Sequence, residues 1–428
     1  MYPTISHLLF DLFGINFPLP IQTFGFCVAM AFLAGGYFLA KELKRKEKEG
    51  HFNKETIKVI IGEKLYFNEI ASSCITGFIV GFKLVEARFY YYDLLANPQD
   101  FILSTRGDWI GGIMIACLFL SFKWISNNRT RLKEPKEIEK SVRPYELTGN
   151  IIMTAAISGV IGAKIFSVIE TLYELTPIKK AEWVWDKIHE KIKACDCPEN
   201  LEKIQEIQNF QFNYPDFIID QLATFSGLTF YGGLIFGAIT VIWYVRKHKM
   251  NVFHFTDAIA PSLILAYGVG RIGCQLSGDG DWGIKNLSAK PEWISFLPDW
   301  MWSFKFPHNV IKEGKRMSDC GAEFWEPYCY ELANPVWPTA FYETVMCLII
   351  FSLLWIIRKR IHISGILFCI YLVMNGIERF FIEKIRVTSK YDIFGGITQA
   401  QIIALVLIVL GLLGCIVLYN NNKKKTLK

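Results

Sequence analysis

The 428-residue chain carries 46 Lys and Arg against 40 Asp and Glu, a net charge of +6, with 52% hydrophobic and 15% aromatic residues and a mean hydropathy of +0.27. These values exclude a disordered chain and an ordinary soluble fold, because the charged residues gather between long apolar runs. The positive excess sits in short loops rather than in a patch with interleaved aromatics, which excludes a nucleic-acid footprint and leaves a membrane-topology signal.

The first twenty residues, MYPTISHLLFDLFGINFPLP, lack the basic start and small-residue cleavage site of a signal peptide and are expected to stay as an interfacial helix. Crossing about 30 Å of hydrocarbon takes about 20 apolar residues. Such runs lie near 20–40, 69–92, 108–126, 148–171, 226–245, 254–274, 338–357, 363–383 and 397–419. The expected fold is therefore all-α: a polytopic membrane helix bundle of nine spans, with residues 1–428 as one integral membrane domain. KELKRKEKEGHFNK, NRTRLKEPKEIEKSVR, RKHK, RKR and the terminal NNNKKKTLK follow alternate spans. The positive-inside rule makes all five cytoplasmic, which puts the N-terminus outside, the C-terminus in the cytoplasm and the long loops 172–225 and 275–337 on the outer face. Seven of the 11 cysteines (27, 74, 117, 274, 347, 369 and 415) fall in or beside apolar runs, as small buried hydrophobes do. In an oxidising compartment, Cys320 and Cys329 of the second long loop can pair, whereas Cys195 and Cys197 are poorly spaced to close on each other.

An internal repeat is visible. CITGFIVGFKLVEA (74–87) resembles AISGVIGAKIFSVIE (156–170), and each carries a lysine, Lys83 or Lys164, inside an apolar run. Asp100-Phe101-Ile102 precedes Trp109-Ile110-Gly111-Gly112, as Asp216-Phe217-Ile218 precedes Phe230-Tyr231-Gly232-Gly233. Residues 69–126 are thus expected to be an extra hairpin resembling 148–245.

Four constellations are costly on a lipid-facing surface. In the first, Asp257 and Pro261 precede Tyr267-Gly-Val-Gly270-Arg271-Ile-Gly273-Cys274, then Gly278-Asp279-Gly280-Asp281 and Gly283. An arginine ending an apolar run faces either the head groups or a polar cavity. Glycines at 268, 270 and 273 are expected to permit close backbone approach, those at 278, 280 and 283 unusual dihedrals, and the whole suits a guanidinium held against a phosphate. The second, Ser226 to Gly233, centres on Tyr231, whose ordinary role would be an interfacial aromatic. In the third, Pro338-Thr-Ala-Phe-Tyr342-Glu343, a glutamate lies one turn into a span. In the fourth, Asn375-Gly-Ile-Glu378-Arg379, Arg379, Glu383 and Arg386 share one helix face. They form either a self-neutralising pair or a second cation for the same phosphate, with Glu383 fixing its geometry.

The ordered set resembles the prolipoprotein diacylglyceryl transferase family, from the first span through the ninth apart from the extra hairpin and enlarged outer loops. The similarity rests on Gly270-Arg271-Ile272-Gly273 with Gly278-Asp279, on Tyr231-Gly232-Gly233, on Pro338 to Glu343, and on Arg379-Phe380, Glu383 and Arg386. The resemblance implies transfer of diacylglyceryl from phosphatidylglycerol to the lipobox cysteine of a prolipoprotein signal peptide, by one chain and without metal or organic cofactor. It implies catalytic roles for Arg271, Arg379, Tyr231 and Glu383. It implies substrate binding by Arg271, Gly232, Gly233, Gly270, Gly273, Asp279, Asp281, Gly283, Tyr342, Glu343, Asn375 and Arg386. The sequence departs from the family at Tyr231 and Trp337 (His in the family), Cys274 (Asn), Asn375 (Tyr), and Asp279 or Asp281 (Glu). Tyrosine, with a pKa near 10, is a poorer base than histidine. The competing reading is a transporter lined by Lys83, Lys164, Arg271 and Arg379, although transporter repeats each span half a fold and this one spans two helices.

Overall fold

The computed structural model describes residues 1–15, 19, 21–61, 64–96, 101–102, 104–132, 136–173, 175–194, 212–223, 229–320, 325–387 and 396–426. The helices are α1 (Ile5–Phe13), α2 (Thr23–Lys48), α3 (Phe67–Phe89), α4 (Tyr91–Ala96), α5 (Trp109–Thr130), α6 (Thr148–Tyr173), α7 (Pro177–Ala194), α8 (Tyr214–Ala223), α9 (Phe230–Lys247), α10 (Val252–Ser277), α11 (Thr339–Ile357), α12 (Ile366–Ile382) and α13 (Gln399–Thr426). There are also three short 3-10 turns (Pro144–Leu147, Glu292–Ile294 and Asp299–Met301) and two short antiparallel strand pairs: β1 (Glu55–Ile61) with β2 (Lys136–Val142), and β3 (Lys315–Arg316) with β4 (Tyr330–Glu331). Among the described residues seven helical segments are long and apolar enough to cross a membrane: Thr23–Lys48, Phe67–Phe89, Trp109–Thr130, Pro144–Tyr173, Val252–Ser277, Thr339–Ile357 and Gln399–Lys424. The chain is a mostly helical, polytopic membrane protein. Two further apolar runs form shorter helices, α9 with 18 residues and α12 with 17. The chain divides into two compact units, Met1–Thr148 with Lys249–Lys428, and Gly149–His248.

In the first unit α10 is the central helix. It packs along α2 on one side and α11 on another, and α12 packs against α13. Small residues set these distances, as expected where lipid supplies no hydrophobic drive between helices. A Cβ at Gly273 would lie 2.8 Å from the Cβ of Cys27 on α2, and one at Gly376 would lie 2.7 Å from the Ala404 carbonyl on α13. Ile264, Cys347, Ile350, Leu354 and Leu367 knit α10, α11 and α12 into one buried cluster.

The parallel alignment of α10 and α12 has a polar pin. Asp257, buried near the start of α10, accepts hydrogen bonds from the backbone N–H groups of Gly365 (2.7 Å) and Phe368 (3.0 Å). These donors at the start of α12 would otherwise be orphaned in a low-dielectric region. Fourteen residues farther along each chain come Arg271 and Arg379, so at 1.5 Å per residue both arginines lie about 21 Å from the pin. The first part of the stretch expected as a basic loop after the first span, residues 41–48, is instead the last turns of α2.

At the other end, the segment from Gly278 to Pro338 folds over α10 and α11. Cys320 and Cys329 are joined as a disulfide. Trp282, Phe306, Leu332 and Val336 form its own small core, and the Tyr2 amide donates to the Leu276 carbonyl (2.7 Å), bringing the first residues onto the same end. The first residues form the helix α1 (Ile5–Phe13). Cys195 and Cys197 lie outside the described residues.

Two helical hairpins share one local design. In the first unit a Cβ at Gly81 of α3 would meet the Gly111 carbonyl of α5, and the Asp108 amide donates to the Phe82 carbonyl (3.0 Å). In the second unit a Cβ at Gly162 of α6 would meet the Gly232 carbonyl of α9, and the Thr229 amide donates to the Ala163 carbonyl (3.3 Å). Lys83 donates to the carbonyls of Phe101 (2.8 Å) and Arg106 (2.7 Å), satisfying a loop rather than standing in a pathway.

Asp257→Ala should lower unfolding stability in detergent by about 2–4 kcal/mol, because it strands two buried donors and the nearby Lys46. Asp257→Asn should lose less, and thermal-melt midpoints of the two variants check the ranking.

Candidate functional site

The site is built around Glu343, which has no exposed surface. Pro338 precedes α11 and Glu343 sits one turn in, facing α10 and α12. Its carboxylate takes the Tyr267 hydroxyl (2.9 Å) and pairs with all three arginines: Arg271 Nε, Arg386 Nη1 (2.9 Å) and, more loosely, Arg379 Nη1 (3.6 Å). A fully desolvated carboxylate is tolerated only with such partners.

Two further carboxylates close the cluster. Asp281 binds Arg271 Nη1 on one oxygen and Arg386 Nη2 (2.5 Å) on the other. Glu383 Oε2 lies 3.1 Å from Arg379 Nη2, one helical turn away, as an ion contact without hydrogen-bond geometry. Three arginines thus face three carboxylates. The side chains of Arg271 and Arg386 are 14% and 12% exposed, Arg379 is 26% exposed, and Asp281 is 33% exposed. Arg379 and Asp281 are therefore the members at the mouth.

The loop after α10 is shaped to deliver Asp281. Gly278, at φ +64°, ends the helix in the left-handed conformation that glycine adopts without strain. Gly283 has ordinary dihedrals; its role is close approach, since a Cβ there would lie 2.4 Å from the Ile385 carbonyl. The Gly283 and Ile284 amides donate to Trp337 (2.9 Å) and Ile385 (2.8 Å), stitching the loop against the residue before Arg386. The expectation of close approach holds at Gly268 and Gly273, but Gly270 faces open space.

Other predicted residues have other surroundings. Asp279 accepts from the Asp281 amide (3.3 Å), so Asp281 and not Asp279 reaches the arginines. Tyr342 donates to the Met301 carbonyl (2.7 Å) and fastens the loop between α10 and α11. Asn375 donates to the Tyr371 hydroxyl (3.2 Å), one turn along α12 from Arg379. Tyr231, Gly232 and Gly233 belong to the second unit and open α9; Ser226 lies outside the described residues. Sequence reasoning missed the role of Tyr267, and it gave Glu378 none. Glu378 is buried beside Arg379, with neither carboxylate oxygen hydrogen-bonded.

Burial of Asp281 opposes its ionisation, but Arg271 and Arg386 outweigh this and hold its carboxyl below the usual range. The Cys274 thiol and the carboxylates of Asp279 and Asp281 lie within 4.8 Å of one another, a donor set able to ligate one cation. Arg271 already supplies positive charge there, with its Nη1 3.8 Å from Cys274 Sγ.

Fold and site together define a polytopic membrane protein with a buried arginine–carboxylate cluster at one end of its helix bundle. The family model for prolipoprotein diacylglyceryl transferase matches residues 108–417, which leaves out the first two spans. Similar proteins include phosphatidylglycerol–prolipoprotein diacylglyceryl transferases of three organisms. The Staphylococcus saprophyticus protein is 30% identical over 192 residues, 45% of this chain and 59% of that one. The Clostridium botulinum protein (strain Loch Maree) is 31% identical over 218 residues, 50% and 73%. The Leptospira interrogans protein is 24% identical over 260 residues, 60% and 66%. The matches span 59 to 73% of these relatives. The chain belongs to the prolipoprotein diacylglyceryl transferase family.

Glu343→Gln should destabilise the protein by about 3–5 kcal/mol, because three arginines lose their common counter-charge. Tyr267→Phe, which removes one bond to that carboxylate, should cost about 1–3 kcal/mol; denaturation in detergent reads both.

The Asp281 pairs carry a pH signature. Its folded carboxyl ionises below the ordinary value near 3.9, so its stabilisation is complete above that pH and is lost as pH falls through the lowered folded value. The melting-temperature gap between wild type and Asp281→Asn should therefore stay constant from about pH 7 to 4 and narrow only below that.

Proposed function

We propose that this chain transfers the diacylglyceryl group of phosphatidylglycerol to the thiol of a prolipoprotein lipobox cysteine and releases glycerol phosphate. The observation that carries this reading is the convergence of Arg271, Arg379 and Arg386 on one buried carboxylate, with Arg379 at the mouth. The thiol sulfur forms a bond to the glyceryl carbon, the bond from that carbon to the phosphate oxygen breaks, and in the net reaction the thiol proton ends on the released glycerol phosphate. The electron pair departs with the phosphate, so negative charge grows where guanidinium donors can stabilise it.

In the resting cluster each of the three arginines is ion-paired, and three carboxylates share them. In this reading the phosphate takes the place of the Asp281 carboxylate before the arginines, since Asp281 is the most exposed of the three acids. Glu343 and Glu383 keep the guanidinium groups fixed, and fixed donors need no reorganisation during the reaction. Tyr231 stands at the family's histidine position and serves as a hydrogen-bonding group to substrate. Gly270, Gly273, Asp279, Gly283, Tyr342 and Asn375 shape the surrounding binding surface in this reading, and Gly232 and Gly233 stay assigned to substrate binding by the family motif alone.

We place α9 and α12 across the membrane with the seven longer helices, giving nine spans, the N-terminus outside and the C-terminus in the cytoplasm of a bacterial inner membrane. The basic loops support this orientation, as does the Cys320–Cys329 disulfide in the loop it puts outside. The matching glycine contacts and amide-to-carbonyl bonds of the α3–α5 and α6–α9 hairpins support a duplicated hairpin. One chain supplies every member of the arginine cluster, so a monomer is sufficient.

In reconstituted membranes with phosphatidylglycerol and a lipobox peptide, Arg379→Ala and Arg271→Ala should each slow transfer by about 10²–10³-fold. Arg379→Lys should recover part of the rate, because it restores charge but not the planar fork. Full activity in Arg379→Ala would refute the phosphate-binding role.

A further inference from the structure

The end of the first unit opposite Arg271 has its own cavity, of 370 Å³. It is enclosed by the last turns of α2 (Arg45, Lys46, Glu49), by His51, by the start of α10 (His254, Asp257), and by the turn between α11 and α12 (Lys359, His362). Basic residues are expected at this end of the bundle as topology signals. A signal of that kind needs only a solvated charge, and Lys46 is not solvated.

Lys46 is buried, with its side chain 8% exposed, and its ammonium lies 3.8 Å from Asp257, beyond hydrogen-bond distance. Asp257 is already engaged by the Gly365 and Phe368 amides. The other carboxylate, Glu49, is held by Arg45 (2.5 Å). Three cations (Arg45, Lys46, Lys359) face two carboxylates (Glu49, Asp257), so 3 − 2 leaves a net +1 before any histidine protonates. Both carboxylates are committed elsewhere. Lys359 forms no ion pair among the described residues. His254 stacks on His51, with centroids 4.3 Å apart, and its buried Nδ1 has no hydrogen-bond partner.

Beneath the cavity, Glu42 is buried between Arg45 and Arg358, so the floor satisfies itself and the surplus donors remain on the walls. A pocket of 300–1,000 Å³ is the size that encloses a small ligand or head group. Two lysines and imidazole N–H groups spread around such a space match an oxyanion that accepts several bonds at once.

We propose that this cavity is a second, non-catalytic binding site for a phosphate group, held by Lys46, Lys359 and the histidines, about 21 Å along α10 from the arginine cluster. The inference is independent of the transferase reading. The same phosphate chemistry is offered by an inner-leaflet anionic lipid head group and by a free phosphate, and the test separates them.

The full chain, reconstituted in phosphatidylcholine nanodiscs with ¹³C-labelled histidine rings, has seven histidines to follow. Single His→Gln substitutions assign the signals. Inorganic phosphate should shift His51, His254 and His362 saturably while leaving His7 and His308 unmoved. Lys359→Ala should weaken that affinity by about tenfold with transfer activity unchanged, and Arg379→Ala should leave it intact. In a parallel arm, phosphatidylglycerol is incorporated in the disc without free phosphate. A response to lipid alone assigns the site to a head group; a response to phosphate alone assigns it to the soluble anion. No shift of the three histidines with either probe, an equal shift with chloride at matched ionic strength, or undiminished affinity in Lys359→Ala would overturn the proposal.

Discussion

A carboxylate with no access to water must be surrounded by positive charge, and Glu343 imposes that condition on everything around it. Three helices meet it: α10 brings Arg271 and Tyr267, α11 carries Glu343 itself, and α12 with its following turn brings Arg379 and Arg386. None of the three arginines could stand alone at this depth. Each is tolerable because the other members are present, which makes the cluster an all-or-none assembly. Small displacements of a helix would break several ion pairs together, so the packing of the bundle and the geometry of the site are one constraint.

The bundle meets it by fixing register at a distance. Asp257 pins the start of α12 to the start of α10, and the equal count from Asp257 to Arg271 and from Gly365 to Arg379 carries that alignment to the far end. Gly268 and Gly273 let α11 and α2 press close to α10. Gly283 lets the loop between α10 and α11 press against Ile385, which delivers Asp281 to Arg386. That loop is therefore as much a part of the site as the helices are.

Much of this was legible in the sequence. Apolar runs located every long apolar helix, because burial in lipid demands length and composition together; α7 and α8, which lie in the stretch 172–225 expected as a loop, are too polar or too short to give that signal. The i, i+4, i+7 spacing put Arg379, Glu383 and Arg386 on one face, and the glycine-rich stretch marked Arg271. The partnerships were not legible. That Glu343 serves three arginines, and that Asp281 rather than Asp279 reaches them, depends on contacts between helices far apart in the chain. Gly270 and Gly283 show the same limit. A glycine in a motif reports that a Cβ is unwelcome or unnecessary, and only the neighbouring chain decides which. The matched spacings from Asp257 and Gly365 were present as arithmetic, but without knowing that the two residues touch there was no reason to compare them.

The two ends of α10 solve the same electrostatic problem differently. At the Arg271 end every arginine has a carboxylate, and the mouth holds the two members with the greatest exposure, Arg379 and Asp281, each paired to other groups. At the Asp257 end the carboxylates are spoken for by backbone amides and Arg45, and Lys46 is left with a distant partner. Under the proposed function, a cluster whose arginines are all ion-paired suits a site that must release a phosphate at every turnover, because its arginines return to their own carboxylates when the anion leaves. An unbalanced pocket suits an anion that stays. The difference in counter-charge, more than the number of basic residues at either end, is what separates a site built for exchange from one built for retention.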